Sequence, residues 1–207
     1  MSKFGLKTQN KILLLIILVC LSSKYPLMSN PQTARIMKKG NVGITVSYGN
    51  LIASKRCYSE FGELNIRFGI SEKWDFGIEI ALFMPITFNA KYQFVGNDSS
   101  LIACSAAIGL GTTSLEEFIL HDDDKYIAVF LPLYASIHPS NWFGLYINPR
   151  IYSFFWEGKP LYNVGIASGV RIGKKIAFLL EYLINTDHEY DNEISSQFIV
   201  ALTYNIP

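Results

Sequence analysis

Histidine and carboxylate side chains stand next to each other at two places in this sequence. His121 is followed directly by an aspartate run at 122–124, and Asp187 directly precedes His188. A histidine beside a carboxylate can act as a general base that activates a water molecule. The sequence favours two solvated acidic loops and assigns no catalytic residue, and His121, Asp122, Asp187 and His188 are the rim candidates of the alternative, a hydrolase. No Ca²⁺-loop spacing accompanies the acidic residues.

Charged residues also recur at every second position within otherwise apolar segments. Four are acids and four are bases, namely Glu63, Asp75, Glu79 and Glu181 with Arg67, Lys91, Arg150 and Arg171. An unpaired buried charge costs several kcal/mol, so an interior that holds charges is expected to pair them. The balance predicts a paired interior charge network, with solvated surface charges as the alternative.

Composition argues against several other kinds of site. The net charge is +1 and the lysines and arginines are scattered, so no basic stripe is available to neutralise nucleic-acid phosphates. The cysteines Cys20, Cys57 and Cys104 form no CxxC or Cys/His metal spacing. We therefore expect no metal, no cofactor and no nucleic-acid partner.

The N-terminus has the pattern of an export signal. Lys3, Lys7 and Lys11 precede an apolar run at 12–21, which is shorter than the roughly 20 residues of a membrane-spanning helix. Residues 1–29 are accordingly predicted to be a signal peptide whose cleavage site is uncertain. Lipidation of Cys20 is an alternative, although the preceding residue is valine rather than a small residue.

From residue 40 to 207 the apolar residues recur with a period of two, which is typical of strands that separate two surroundings. The clearest segments are 61–70, 74–82 and 86–94. Compatible segments follow at 42–48, 101–110, 126–137, 143–152, 162–172, 176–184 and 197–206. This predicts an all-β domain at 40–207 with about ten strands, eight being possible.

The connections between these segments alternate between short and mostly long. The short ones are predicted turns at 71–73, 96–99, 138–141 and 173–175, and the longer polar ones include 50–60, 111–125 and 185–196. Short turns at one end and long loops at the other are typical of a transmembrane antiparallel up-and-down β-barrel. Small residues on the polar faces of 101–110 and 162–172 favour a crowded lumen over a solvated sheet face.

The pattern of residues 40–207, with turn segments such as Gly69-Ile70-Ser71-Glu72-Lys73-Trp74-Asp75-Phe76-Gly77, resembles small bacterial outer-membrane β-barrel proteins as a general class. The resemblance implies a place in the bacterial outer membrane, with membrane lipid and lipopolysaccharide as surroundings. The final segment, with Phe198, Val200, Leu202 and Tyr204, is similar to the C-terminal signal that barrel-assembly machinery reads, although it ends on Asn205-Ile206-Pro207.

Two enzyme families within this class offer comparisons for the histidines. Omptin proteases use acids and a histidine at the outer rim, but their Asp-x-His spacing is absent here. The run His138-Pro139-Ser140-Asn141 is similar to the His-x-Ser-Asn motif of lipid A deacylases, yet it is predicted to be a turn at the opposite rim. The sequence thus favours a structural, adhesive or narrow-transport barrel without a catalytic site. A rim hydrolase and a soluble periplasmic or lipid-anchored β-protein remain the alternatives.

Overall fold

The computed structural model describes residues 31–53, 58–81, 85–114, 127–156, 159–187 and 193–207. Ten strands make up most of them: β1 (Val42–Ala53), β2 (Tyr58–Gly69), β3 (Trp74–Ala81), β4 (Pro85–Val95), β5 (Ile102–Ser114), β6 (Ile127–Ser140), β7 (Phe143–Trp156), β8 (Lys159–Gly173), β9 (Ile176–Asp187) and β10 (Glu193–Ile206). Within these ranges, no helix is long and apolar enough to cross a membrane.

Each strand pairs antiparallel with its neighbours in the chain, and β1 pairs with β10 to close the sheet. Val42 lies opposite Ile206 and Ala53 lies opposite Ser195, so the closing pair is bonded along its whole length. A closed sheet leaves no edge whose backbone groups lack partners, as a strand-based structure in lipid requires. The predicted up-and-down barrel is confirmed, with ten strands rather than eight.

Short connections join the strands at one end of the barrel, called the turn end below. They lie between β2 and β3, β4 and β5, β6 and β7, and β8 and β9. Gly96 has a φ of 77° and Gly173 a φ of 121°, conformations that side-chain-bearing residues rarely adopt. The connections at the opposite end, at 54–57, 82–84, 115–126, 157–158 and 188–192, lie outside the described residues.

The turn predicted at 138–141 is placed differently in the structure. Strand β6 continues to Ser140, with a register shift between Ile137 and Ser140, so only residues 141–142 form the turn. Pro139 is tolerated because the ladder is already irregular there. As a result His138 is a buried strand residue whose side chain faces the lumen.

The barrel is apolar outside and polar inside. Along β9, Phe178, Leu180 and Tyr182 are exposed, whereas Leu179 and Glu181 between them are buried. The same alternation holds on the other strands, so the exterior is a continuous apolar surface. Soluble monomers rarely expose apolar patches of more than a few hundred Å². This inverted polarity is the arrangement of a membrane-spanning barrel and contradicts the alternative of a soluble β-protein.

Small residues on the inner faces make room for large ones from neighbouring strands. A Cβ atom at Gly169 would lie 2.5 Å from the Tyr146 hydroxyl, and one at Gly109 would overlap the Phe130 ring. Ala103 and Ala167 are fully buried in the same interior. At these positions the lumen is filled by side chains, as expected of a barrel with few strands.

Candidate functional site

The chain immediately before β1 enters the lumen from the turn end. Residues 31–37, called the N-terminal plug here, are mostly buried, and Ala34 is fully so. Ala34 packs with Ala103, Ala107 and Tyr134 of the barrel wall. The barrel thus fills part of its own interior with a segment that contributes no strand.

Lys91 of β4 is the centre of the plug's attachment. Its ammonium nitrogen donates to Gln32 Oε1 at 3.1 Å, to the Thr33 carbonyl at 3.3 Å and to the Arg35 carbonyl at 3.2 Å. Lys91 is 2% exposed and its Nζ also lies 5.1 Å from the centre of the Tyr134 ring. The three N–H donors of the Lys91 ammonium group therefore match three oxygen atoms of the plug and hold it in the lumen.

Asp75 joins the plug to the charges of the wall. Its Oδ2 accepts a hydrogen bond from the Met37 backbone nitrogen at 2.8 Å and lies 3.8 Å from Lys91 Nζ. Its Oδ1 pairs with the Arg67 guanidinium, whose Nη1 donates to Asn89 Oδ1 at 2.7 Å. A carboxylate shared by two buried cations and a backbone amide is well compensated for its loss of hydration.

Two further wall residues bind backbone amides of the plug. Gln93 Oε1 accepts from the Ile36 nitrogen at 3.1 Å, and Ser136 Oγ accepts from the Ala34 nitrogen at 3.2 Å. Ser136 Oγ also lies 2.8 Å from His138 Nε2. A Ser–His pair is the geometry of an activated nucleophile, but a base also needs an orienting third group. His138 Nδ1 has no hydrogen-bond partner among the described residues. The Ser136 hydroxyl instead anchors the plug through the Ala34 amide.

A second group of buried side chains, called the second layer here, lies deeper in the lumen than the plug. Arg150 Nη2 of β7 donates to Glu181 Oε1 of β9 at 2.8 Å, and both side chains are essentially fully buried. The two strands are separated by β8, where Gly165 lies opposite Arg150 and Gly169 lies opposite Glu181. Arg150 also lies 5.8 Å from the Tyr152 ring centre. Glu79 of β3 and Arg150 of β7 line one cavity of about 10 Å³, so side chains of distant strands nearly meet at this level, with room for about one water molecule.

The remaining predicted interior charges lie at different heights. Glu63 is buried and accepts from Ser47 Oγ at 3.3 Å, and Glu79 is buried and accepts from Asn65 Nδ2 at 3.4 Å. Arg171 lies at the turn end, partly exposed. The structure thus groups Arg67, Asp75 and Lys91 around the plug and pairs Arg150 with Glu181.

The structure shows no site formed by the rim candidates at the opposite end of the barrel, within the residues that it describes. His121, Asp122 and His188 lie outside the described residues, and Asp187 is the last residue of β9 with its side chain undescribed. Within the described ranges, no group of three or more His, Cys, Asp or Glu residues comes together. The residues that sequence reasoning missed are those of the plug, since 31–37 carries no periodicity that would place it inside a barrel.

No protein-family model and no curated protein sequence matches the chain. Among solved structures, the outer membrane protein Ail of Yersinia pestis is similar over 81% of this chain and 100% of its own, with 10% identity and a TM-score of 0.40. OmpT, an outer membrane protein of Vibrio cholerae, covers 78% of this chain and 63% of its own at 8% identity and a TM-score of 0.40. The translocator domain of the autotransporter NalP from Neisseria meningitidis covers 79% of this chain and 87% of its own, at 9% identity and a TM-score of 0.40.

These similarities are at the level of the barrel alone, and the assignment rests on the strand pairing of this chain itself. The closed ten-stranded sheet, its apolar exterior and its charged, packed lumen define a transmembrane β-barrel. More particularly, it is a small barrel whose lumen is occupied by its own N-terminal plug and by a buried ion-pair layer.

Proposed function

We propose that this protein resides in a bacterial outer membrane as a sealed β-barrel with a structural or adhesive role, rather than as an open diffusion pore. The observation that carries the proposal is that the lumen is filled at two successive levels. The plug occupies the turn end, held by Lys91, and beyond it Glu79 and Arg150, which belong to well-separated strands, line a cavity of only about 10 Å³. A solute entering from either end would meet a packed obstruction.

The proposed location is supported by the exterior of the barrel. Exposed Leu, Ile, Val and Phe side chains would contact lipid tails, and Trp74, Phe94 and Trp142 lie exposed beside the turn end, where aromatic residues meet a membrane interface. In this proposal outer-membrane lipid and lipopolysaccharide surround the barrel, and the barrel-assembly machinery inserts it. The turn end then faces the periplasm.

The membrane location predicts heat-modifiable migration. The protein recovered from the outer-membrane fraction should migrate differently on an SDS gel before and after boiling, because a closed barrel resists SDS until it is heated. Resistance to extraction by alkaline carbonate is the accompanying measurement. Identical migration together with release by carbonate would contradict the proposed location.

The sealed lumen predicts the outcome of planar-bilayer recordings. The purified full-length protein should give no stable single-channel steps, and neither should a variant lacking residues 31–37, because the buried side chains of Tyr134, Arg150 and Tyr152 remain. Steps should appear when that deletion is combined with Tyr134→Ala and Tyr152→Ala, since both rings are buried in the lumen. Current steps from the unmodified protein would refute the proposal that the barrel is sealed. Absence of steps from the combined variant would show that the Tyr134 and Tyr152 rings do not block the lumen beyond the plug.

A further inference from the structure

A cavity of about 470 Å³ lies beside the plug at the turn end. Its lining holds six lysine and arginine residues against two aspartates: Arg35, Lys38, Arg67, Lys91, Arg171 and Lys174, with Asp75 and Asp98. Exposed lining residues such as Lys38, Asn141 and Lys174 open it to solvent at the turn end. The cavity is therefore accessible and carries an excess of positive charge.

Half of these cations already have a carboxylate partner. Arg67 and Lys91 share Asp75, and Lys38 pairs with Asp98 at 2.6 Å. The hydrogen bond and the charge of Asp98 raise the pKa of Lys38, and Lys38 in turn lowers the pKa of Asp98. Across the described part of the chain, Arg35, Arg171 and Lys174 take part in no ion pair.

The two arginines are instead held by carbonyl oxygens. Arg35 Nη2 donates to the Ser100 carbonyl at 2.6 Å. Arg171 donates from Nη1 to the Gly173 carbonyl at 2.7 Å and from Nη2 to the Lys174 carbonyl at 3.0 Å. Carbonyl groups fix the orientation of a guanidinium without neutralising its charge. Burial lowers the pKa of Arg35, and the charge of Asp98 opposes that shift.

We propose that this cavity binds a small multivalent oxyanion, of the phosphate or polycarboxylate type, between Arg35 and Arg171. Guanidinium groups match the geometry of such oxyanions and are weakly hydrated, which favours them over ammonium groups for this purpose. The amide side chains of Asn141 and Asn205 also line the cavity and can donate to the ligand. A volume of about 470 Å³ is within the usual range for a small-molecule site.

Binding there would join two parts of the protein that are otherwise separate elements. Arg35 belongs to the plug, and Arg171 belongs to β8 of the wall. An anion that contacts both guanidiniums would strengthen the attachment of the plug to the barrel. This coupling follows from the position of the site and does not depend on which membrane holds the barrel.

The experiment uses the full-length protein folded in detergent micelles, with inorganic phosphate and citrate as the probes, titrated by calorimetry in about 100 mM sodium chloride to screen nonspecific attraction. We expect at least one probe to bind with a Kd below about 10 mM, and Arg171→Gln to weaken it about tenfold. Lys175→Gln is the matched control, because Lys175 neighbours Lys174 in sequence but does not line the cavity, and it should retain the affinity.

Arg35→Gln should weaken binding as Arg171→Gln does, and heat-modifiable migration shows that each variant is folded. Tighter binding of phosphate would assign the site to phosphate groups, and tighter binding of citrate would assign it to carboxylates. The proposal is overturned if neither probe binds below about 10 mM, or if Lys175→Gln weakens binding as much as Arg171→Gln does.

Discussion

Lys91→Met is expected to release the N-terminal plug while the barrel stays closed. The substitution keeps the length of the side chain and removes the ammonium group that donates to three oxygens of the plug. Hydrogen bonds from charged donors contribute about 1.5–3 kcal/mol each, and we expect at least about 3 kcal/mol of the plug's attachment to be lost. That corresponds to about a hundredfold increase in the population with the plug detached.

The measurement is the rate at which a cysteine placed at position 34 reacts with a water-soluble maleimide. Ala34 is fully buried against Ala103 and Tyr134, so the reporter reacts only when the plug leaves the lumen. Cys20, Cys57 and Cys104 are replaced by serine in the parent, and heat-modifiable migration monitors the closure of the barrel. Lys175→Met is the control and should leave the rate unchanged. Equal rates in the parent and in Lys91→Met would refute the assigned role of Lys91.

Arg150→Met is expected to destabilise the barrel by about 3–5 kcal/mol, the usual cost of removing one partner of a buried ion pair. It leaves Glu181 without its cation in the interior, with Glu79 close by. Glu181→Met should cost less, because Arg150 would still face Glu79 across the small cavity that both line. The double variant should lose less than the sum of the two single losses, since no isolated charge then remains.

Unfolding by urea of the protein folded into phospholipid vesicles measures these free energies. Lys175→Met again serves as a control and should change stability by less than about 0.5 kcal/mol, as expected for an exposed position. Two single losses that simply add in the double variant would show that Arg150 and Glu181 do not interact. If the Arg150→Met variant were as stable as the parent, Arg150 would not hold the second layer together, and that layer would no longer support the proposed seal.

Much of the fold could be predicted because a barrel strand is encoded locally. The alternation of Phe76, Ile78 and Ile80 with Asp75, Gly77 and Glu79 separates two faces without knowledge of any partner strand. Counting such segments predicts about ten strands. The apolar and polar faces that these segments share predict an apolar exterior and a polar lumen. The turn near His138 was misplaced because Pro139, Ser140 and Asn141 are turn formers, whereas pairing with β7 extends the strand through Ser140.

The sequence by itself determined the closed antiparallel class, and it predicted about ten strands with charged side chains on their inner faces. Only the tertiary structure decided which charges meet, because Arg150 and Glu181 are brought together across the side-chain-free glycines of β8. It alone also revealed the plug. Residues 31–37 bind the wall largely through backbone amides and carbonyls. Because nearly every residue carries these same groups, the side-chain pattern of the sequence does not predict where they will bind.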